Sequence, residues 1–146
     1  SSFFTFMHRT PLNNKKHLFT IYNNVTNYVL VNETLTWPDA RMYCREHHRD
    51  LASIRNQEEN DNILQALKAS GVAYAWIGLY RNPWAFWSDK SPSTFTNWKT
   101  GEPNNIIAEY CAAFNAVSGE WLDENCGNMV PFFCFKGEVT QTLSFF

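Results

Sequence analysis

Apolar residues recur at helical spacing in two segments of the chain. The first segment, residues 37–48, follows Thr36 as a capping residue and places Ala40, Tyr43, Cys44 and His47 at helical spacing. The second, residues 57–69, follows Asn56 as a cap and stops before Gly71, and its apolar positions are Ile63, Leu64 and Leu67. Threonine and asparagine cap a first turn with a side-chain oxygen, and glycine takes the left-handed conformation that ends a helix. The pattern therefore predicts two helices.

Short apolar runs before, between and after these helices predict strands. The runs are residues 28–31, 51–54, 75–79, 111–114, 119–123 and 131–135. Because the two helices precede most of the strands, the order predicts an α+β domain rather than alternating βαβ units. From residue 80 to residue 110 the chain is rich in Trp, Pro, Asn, Ser and Gly and has little periodicity. We expect a long functional loop there.

Length and composition indicate one domain with a substantial core. The chain has 146 residues, of which 45% are hydrophobic, and the net charge of −2 gives no reason to expect a nucleic-acid partner. No apolar run approaches the roughly 20 residues that span a bilayer. We expect the domain over residues 27–136, a poorly ordered lead-in over 1–26, with an added edge strand as the alternative, and a tail or linker over 137–146. No signal peptide is visible, so we interpret the chain as part of a longer protein.

The cysteines and two sequons favour an extracellular protein. The four cysteines are Cys44, Cys111, Cys126 and Cys134, and none forms the C-x-x-C pair of a structural zinc site. An even count at wide spacing fits two disulfides in an oxidising compartment, and four free thiols in a cytosolic protein are the alternative. Asn24 and Asn32 lie in N-x-T sequons, which are glycosylation acceptors in secreted proteins.

Oxygen-bearing side chains gather in the irregular region and in the strand after it. They are Glu102 and Asn104, which flank Pro103, together with Glu109 and Asp123. Oxygen-only ligands suit a hard cation, and Ca²⁺ best, because it accepts six to eight oxygens in flexible geometry. The alternative is ordinary solvated acids. A glycosidase pair of Glu102 and Glu109 has little support, since no sequence feature buries either carboxylate.

The ordered motifs of residues 28–135 resemble the C-type lectin-like domain. They are Trp37-Pro38-Asp39-Ala40 with Cys44, Leu51-Ala52-Ser53-Ile54, Trp76-Ile77-Gly78-Leu79, Asn97-Trp98, Gly101-Glu102-Pro103-Asn104, Cys111, Trp121, Cys126 and Cys134. The resemblance implies two helices with small antiparallel sheets, a long irregular binding loop, and disulfides Cys44–Cys134 and Cys111–Cys126. It also implies a non-enzymatic module of a secreted protein or receptor ectodomain, similar to domains of macrophage mannose receptor-like proteins.

The same resemblance implies a calcium and sugar site. Glu102, Asn104, Glu109 and Asp123 match the family's Ca²⁺ ligands, which also bond the sugar, and Glu-Pro-Asn accompanies mannose-, fucose- or N-acetylglucosamine-type ligands. Glycans or glycoproteins with such sugars are thus the expected partners, and further domains of the same chain are a second class of partner that the resemblance allows. The departure is Leu122, where the family has Asn, which removes one oxygen and places an apolar group there. Asn105 and Tyr110 stand where an auxiliary Ca²⁺ site would need acids.

Several residues carry a second interpretation. A calcium-independent, protein-binding C-type lectin-like module is the alternative function, and Leu122 favours it. Core packing is the expectation for Trp76, Trp98 and Trp121, and also for Trp84, Phe86 and Trp87, one of which could instead be an exposed platform. His47 and His48 are explained by the helix C-terminus, which favours cations. Asn125 lies too near Cys126 to replace the missing ligand.

Overall fold

Two helices form where the periodicity predicts them. The computed structural model describes residues 6–7, 21–22, 27–81 and 84–136. Helix α1 is Trp37–His47 and helix α2 is Gln57–Ser70. The Thr36 hydroxyl accepts from the backbone N–H of Asp39 at 3.4 Å, and Asn56 Oδ1 accepts from that of Glu59 at 2.9 Å. Gly71 ends α2 with a φ of 74°, so both the caps and the stop act as predicted.

Most of the strands join in one sheet. The described strands are β1 Phe6–Met7, β2 Ile21–Tyr22, β3 Tyr28–Leu35, β4 Asp50–Leu51, β5 Tyr74–Tyr80, β6 Phe86–Trp87, β7 Glu109–Asn115, β8 Trp121–Asn125 and β9 Val130–Phe135. Seven form a sheet of order β3-β9-β5-β7-β8, with β4 on β9 and β6 on β5. Neighbours are antiparallel except β5 and β9, and β1 pairs with β2 separately. The α+β C-type lectin-like fold is confirmed.

The structure corrects several strand boundaries. The strand expected over 51–54 is only Asp50–Leu51. Ala52 N–H still donates to the Phe133 carbonyl of β9 at 2.9 Å, but the Ala52 carbonyl turns to β5 and accepts from Gly78 N at 2.8 Å. Gly119 belongs to the turn before β8, and the two-residue β6 was not predicted. Of the lead-in, only β1 and β2 are described. The remaining lead-in, the Asn24 sequon and the tail lie outside the described residues.

Both disulfides expected from the resemblance are present. Cys44–Cys134 joins α1 to β9, and Cys111–Cys126 joins β7 to the end of β8. The sequence separations are 90 and 15 residues. In the chain-entropy model, closing these loops stabilises the fold by about 4–5 and about 3 kcal/mol. The second disulfide anchors the strands that border the irregular loop.

The helices pack on opposite faces of the sheet. Alternate residues of β5 divide between two apolar clusters, with Ile77 in the first and Trp76 in the second. Ile63 of α2 belongs to the first cluster, which also contains Trp121, and Trp37 of α1 belongs to the second. Side chains of β5 alternate between the two faces of the sheet, and each face is covered by a helix. The residues of both clusters are therefore buried. The irregular loop lies over the first cluster, beside Trp121.

Candidate functional site

Strand β8 holds the irregular loop through its first residue. Trp121 N–H donates to the Asn97 carbonyl at 2.8 Å, and Lys99 N–H donates to the Trp121 carbonyl at 2.9 Å. The indole of Trp121 is fully buried, and aromatic rings surround it at centroid distances of 5.6–5.8 Å, namely Trp87, Phe95 and Trp98. The turn at Glu102, whose N–H donates to the Lys99 carbonyl, follows directly. The loop is therefore fixed to the core just before the candidate ligands.

Asp123 brings the Glu-Pro-Asn segment to the strand. Its side chain is only 3% exposed, and it accepts from Asn104 N at 3.1 Å and from Asn105 N at 2.8 Å. The peptide bond between Glu102 and Pro103 is cis. The Glu102 carboxylate accepts from the Asn104 backbone and side-chain nitrogens, both at 3.3 Å. Three of the four predicted ligands are thus brought together.

Glu102 and Asp123 form a carboxyl pair. The hydrogen bond with Asp123, followed by burial, raises the pKa of Glu102 above its ordinary value. Burial also acts to raise the pKa of Asp123, but the bonds from Glu102 and from the Asn105 and Asn104 amides outweigh it and leave that pKa lowered. Two carboxyls in contact cannot both ionise without cost. A pair of this kind is chemically suited to a divalent cation, which would offset that cost.

A β-bulge decides where Glu109 lies. Glu109 is opposite Asn125, while Cys111 is opposite Glu124, so β7 carries one extra residue at Tyr110. This shift puts Glu109 on the face of the ladder that Asp123 occupies. The Glu109 Oε2 atom is buried and has no hydrogen-bond partner among the residues that the structure describes. An orphaned carboxylate oxygen is costly in a fold and marks a position where a ligand or an ion is expected.

Glu109 nevertheless stands apart from the carboxyl pair. Within the described ranges, no three His, Cys, Asp or Glu side chains are close enough to hold one metal ion. Burial, followed by the charge of Glu109, raises the pKa of the neighbouring Glu124. The structure therefore shows two acids in contact and a third nearby along the β7–β8 ladder, rather than a closed ligand cage.

Leu122 does not face the carboxyl pair. Side chains alternate along β8, so Leu122 lies on the face opposite to Trp121 and Asp123. It is half-buried and packs against the second apolar cluster. The apolar group expected among the ligands is instead part of the core, although Leu122 still supplies no oxygen. Asn125, the other residue considered, is exposed and accepts from Gly127 N at 2.8 Å.

The aromatic residues of the loop divide between core and surface. Trp87 is buried, as is Trp76, and Trp98 packs half-buried against the first cluster. Phe86 is 47% exposed and stacks on Tyr80 at a centroid distance of 5.9 Å. Of the three aromatic residues for which the sequence allowed an exposed platform, Phe86 is thus the exposed one.

Trp84 and Arg81 border the site, and the sequence did not predict the side-chain contacts that they make there. Trp84 Nε1 donates to Asn105 Oδ1 at 2.7 Å, and the Arg81 guanidinium carbon lies 4.0 Å from the centre of the Tyr110 ring. Asn105 and Tyr110, which stand where an auxiliary Ca²⁺ site would need acids, thus each contact a neighbouring side chain instead. The only available signal was the position of Arg81 directly after the strand motif Trp-Ile-Gly-Leu-Tyr.

The other predicted positions lie away from the loop. His47 and His48 are at the end of α1, and burial, followed by the charge of His47, lowers the pKa of His48. Asn32 is exposed on β3. Two surface cavities, of about 580 and 190 Å³, are lined around Arg55 by residues outside the carboxyl pair.

Comparison with known proteins identifies the family. Residues 33–136 match the family model described as the lectin C-type domain. This chain belongs to the C-type lectin family. Members of the family are binding proteins and not enzymes, which confirms the non-enzymatic prediction. No helix in the described ranges is long and apolar enough to cross a membrane.

The relatives of this C-type lectin domain include calcium-independent forms. Lithostathine-1 of Mus musculus is 34% identical over 119 residues, which are 75% of this chain and 72% of the relative. A mannose-binding C-type lectin isoform of Oxyuranus scutellatus is 35% identical over 120 residues, covering 73% and 74%. The crystal structure of human lithostathine superposes with a TM-score of 0.69 at 30% identity, covering 75% and 82%. A calcium-independent type II antifreeze protein gives 0.64 at 26%, covering 74% and 85%.

Proposed function

We propose that this domain binds a carbohydrate through one Ca²⁺ ion held at Glu102 and Asp123. The observation that supports this most is the carboxyl pair itself. One member, Asp123, is almost fully buried, and its contact with Glu102 raises the pKa of Glu102 above its ordinary value. A bound divalent cation would attract both carboxylates and offset the repulsion between them.

The remaining donors fit a hard cation. Asn104 is exposed beside Glu102 and offers an amide oxygen, which now accepts from Ile106 N at 2.9 Å. Glu109 would supply the third carboxylate, from the same face of the ladder as Asp123. Ca²⁺ accepts six to eight oxygens, so water would complete the set. Because these residues supply few of the six to eight oxygens, we expect a dissociation constant of about 1 mM, at the weak end for extracellular modules.

The polar groups around the ion select the sugar. When bound, Ca²⁺ would supply open positions for two sugar hydroxyls. Glu102, Glu109 and Asp123 accept hydrogen bonds from such hydroxyls, and the Asn104 amide donates one. Mannose-, fucose- or N-acetylglucosamine-type sugars on glycans or glycoproteins are the proposed ligands. The relative named as mannose-binding supports this specificity, and the two disulfides support an extracellular location.

Retention on mannose-agarose tests the proposal. We expect the protein to be retained in about 10 mM Ca²⁺ and released by EDTA, with galactose-agarose as the control matrix. Release should also follow acidification to about pH 4, because protonated carboxylates no longer bind the ion. Retention that ignores EDTA, or retention unchanged in acid, would rule out a calcium-mediated site.

A calcium-independent protein-binding module is the second candidate. It is favoured by the separation of Glu109 from the carboxyl pair and by the likeness to a calcium-independent antifreeze protein. Under this alternative, calorimetry shows no heat of Ca²⁺ binding at millimolar concentrations. The same result would remove the carbohydrate proposal.

A further inference from the structure

Arg81 is an arginine whose guanidinium group has no acceptor in the described part of the chain. It follows the last residue of β5, and its backbone N–H donates to the Tyr110 carbonyl at 2.8 Å. The side chain turns over the Tyr110 ring, with 4.0 Å between the guanidinium carbon and the ring centre. Stacking of this kind holds the planar fork in one orientation.

Among the described residues, no acid matches the charge of Arg81. Its Nε atom is buried and has no hydrogen-bond partner in the same part of the chain. Arg45 and Arg55, by contrast, form ion pairs with Asp50 and Glu59 at 3.0 and 2.7 Å. Within the described residues, Arg81 forms no such pair. A half-buried guanidinium without an acceptor costs free energy, and a ligand that supplied an anion would recover it.

The position of Arg81 is at the border of the candidate sugar site. Tyr110, on which it stacks, is 41% exposed and directly follows Glu109 in β7. Trp84, three residues after Arg81, donates to Asn105, whose N–H binds Asp123. Arg81 and Tyr110 thus lie next to Glu109, one of the proposed ligands.

We propose that Arg81 and Tyr110 form a subsite for an anionic group of the bound glycan, a sulfate ester or a carboxylate. The inference rests on the proposed carbohydrate function. A guanidinium fork donates two parallel hydrogen bonds to either group, and the Tyr110 hydroxyl donates a third. Since Glu109 and Glu124 repel anions nearby, selectivity for an acidic sugar requires the cation of Arg81.

Competition for mannose-agarose in the presence of Ca²⁺ tests the subsite. The competitors are a neutral mannose disaccharide and two derivatives of it, one sulfated and one ending in a uronic acid. For the native domain we expect one or both acidic sugars to compete about fivefold to tenfold better than the neutral sugar. The derivative that gains identifies which anion the subsite takes. Arg81→Gln should remove the preference and leave competition by the neutral sugar unchanged.

Two further variants control the experiment. Arg41→Gln removes an arginine that also lies over an aromatic ring, 5.2 Å from the centre of Trp37, but on α1; it should keep the preference. Arg81→Lys keeps the charge without the fork and should retain only part of the preference. If the neutral sugar competes but no acidic preference exists, or if the preference survives in Arg81→Gln, the subsite is refuted while the sugar site stands. If no sugar competes, both proposals fall.

Discussion

Replacing Glu102 by Gln tests two roles of the carboxyl pair separately. One is its repulsion, which lowers the stability of the calcium-free fold, and the other is its proposed binding of Ca²⁺. Without Ca²⁺, the native fold holds Glu102 with a raised pKa, so the ionised form of this residue opposes folding above its ordinary pKa. Glutamine cannot ionise and keeps one oxygen to accept from Asn104. Two unit charges about 4 Å apart repel by about 1 kcal/mol in a water-like dielectric, which applies because Glu102 is partly exposed. We expect the calcium-free variant to gain up to about this amount at neutral pH.

With Ca²⁺, we expect the native domain to be more stable than the Glu102→Gln variant. At about 10 mM Ca²⁺ and a dissociation constant of about 1 mM, mass action stabilises the native domain by about 1.4 kcal/mol. For a domain of this size, that corresponds to a rise in Tm of about 3–6 °C. Glu102→Gln removes one of the two paired carboxylates, so its Tm should hardly respond to the ion.

Thermal unfolding in Ca²⁺ and in EDTA measures both effects. Glu58→Gln is the matched control, because it makes the same chemical change at an exposed position of α2. The control should show the native response to Ca²⁺. A response of equal size in Glu102→Gln would show that the ion binds elsewhere. If calcium-free Glu102→Gln has a Tm well below that of the native protein, Glu102 and Asp123 do not repel each other as we argue.

Three further measurements concern the frame of the site. Replacing Cys111 and Cys126 together by Ser should lower the free energy of unfolding by about 3 kcal/mol in urea, and a loss well below this would show a loop already held by other contacts. Asn60→Ala leaves the buried Trp121 Nε1 without its acceptor, while the Gly119 carbonyl keeps the bond from Asn97 Nδ2 at 2.7 Å, and should lower the free energy of unfolding by about 1–3 kcal/mol in the same assay. Burial acts to raise the pKa of Glu59, but its hydrogen bonds with Arg55 outweigh this and lower it. The stability from that pair is present above the ordinary pKa and lost as pH falls through the lowered one, so Glu59→Gln should flatten the stability curve in acid.

The helices and disulfides were predictable because their signals are local or come from the resemblance. Cap residues such as Thr36 and Asn56 act on amides three positions away, so the printed sequence contains the whole interaction. Strand β3 extends beyond the predicted residue 31 because Asn32 and Thr34 alternate outward on an exposed edge. Strand β6 has two residues, too few for any period to appear.

The site was predictable only as far as its chemistry follows from residue type. Glu102, Asn104 and Asp123 are brought together as expected, through backbone amides that bind Asp123. The face on which Glu109 lies depends on one extra residue in β7, which no sequence period indicates. The orientation of Leu122 depends on the register of β8 against the core. The role proposed for Arg81 depends on its contact with the Tyr110 ring of a neighbouring strand, which the sequence does not show.

The contacts around the carboxyl pair hold the proposed ligands in place. Asp123 is fixed by two backbone amides, and Trp121, two residues before it, is fixed by Asn60 at 2.8 Å. Trp84 holds Asn105 through its indole N–H. All of these bonds are made by the protein's own groups, so the binding of an ion need not supply them. Because the cost of ordering a loop is subtracted from affinity, a loop held in this way would favour binding of the proposed ion even though Leu122 supplies no oxygen.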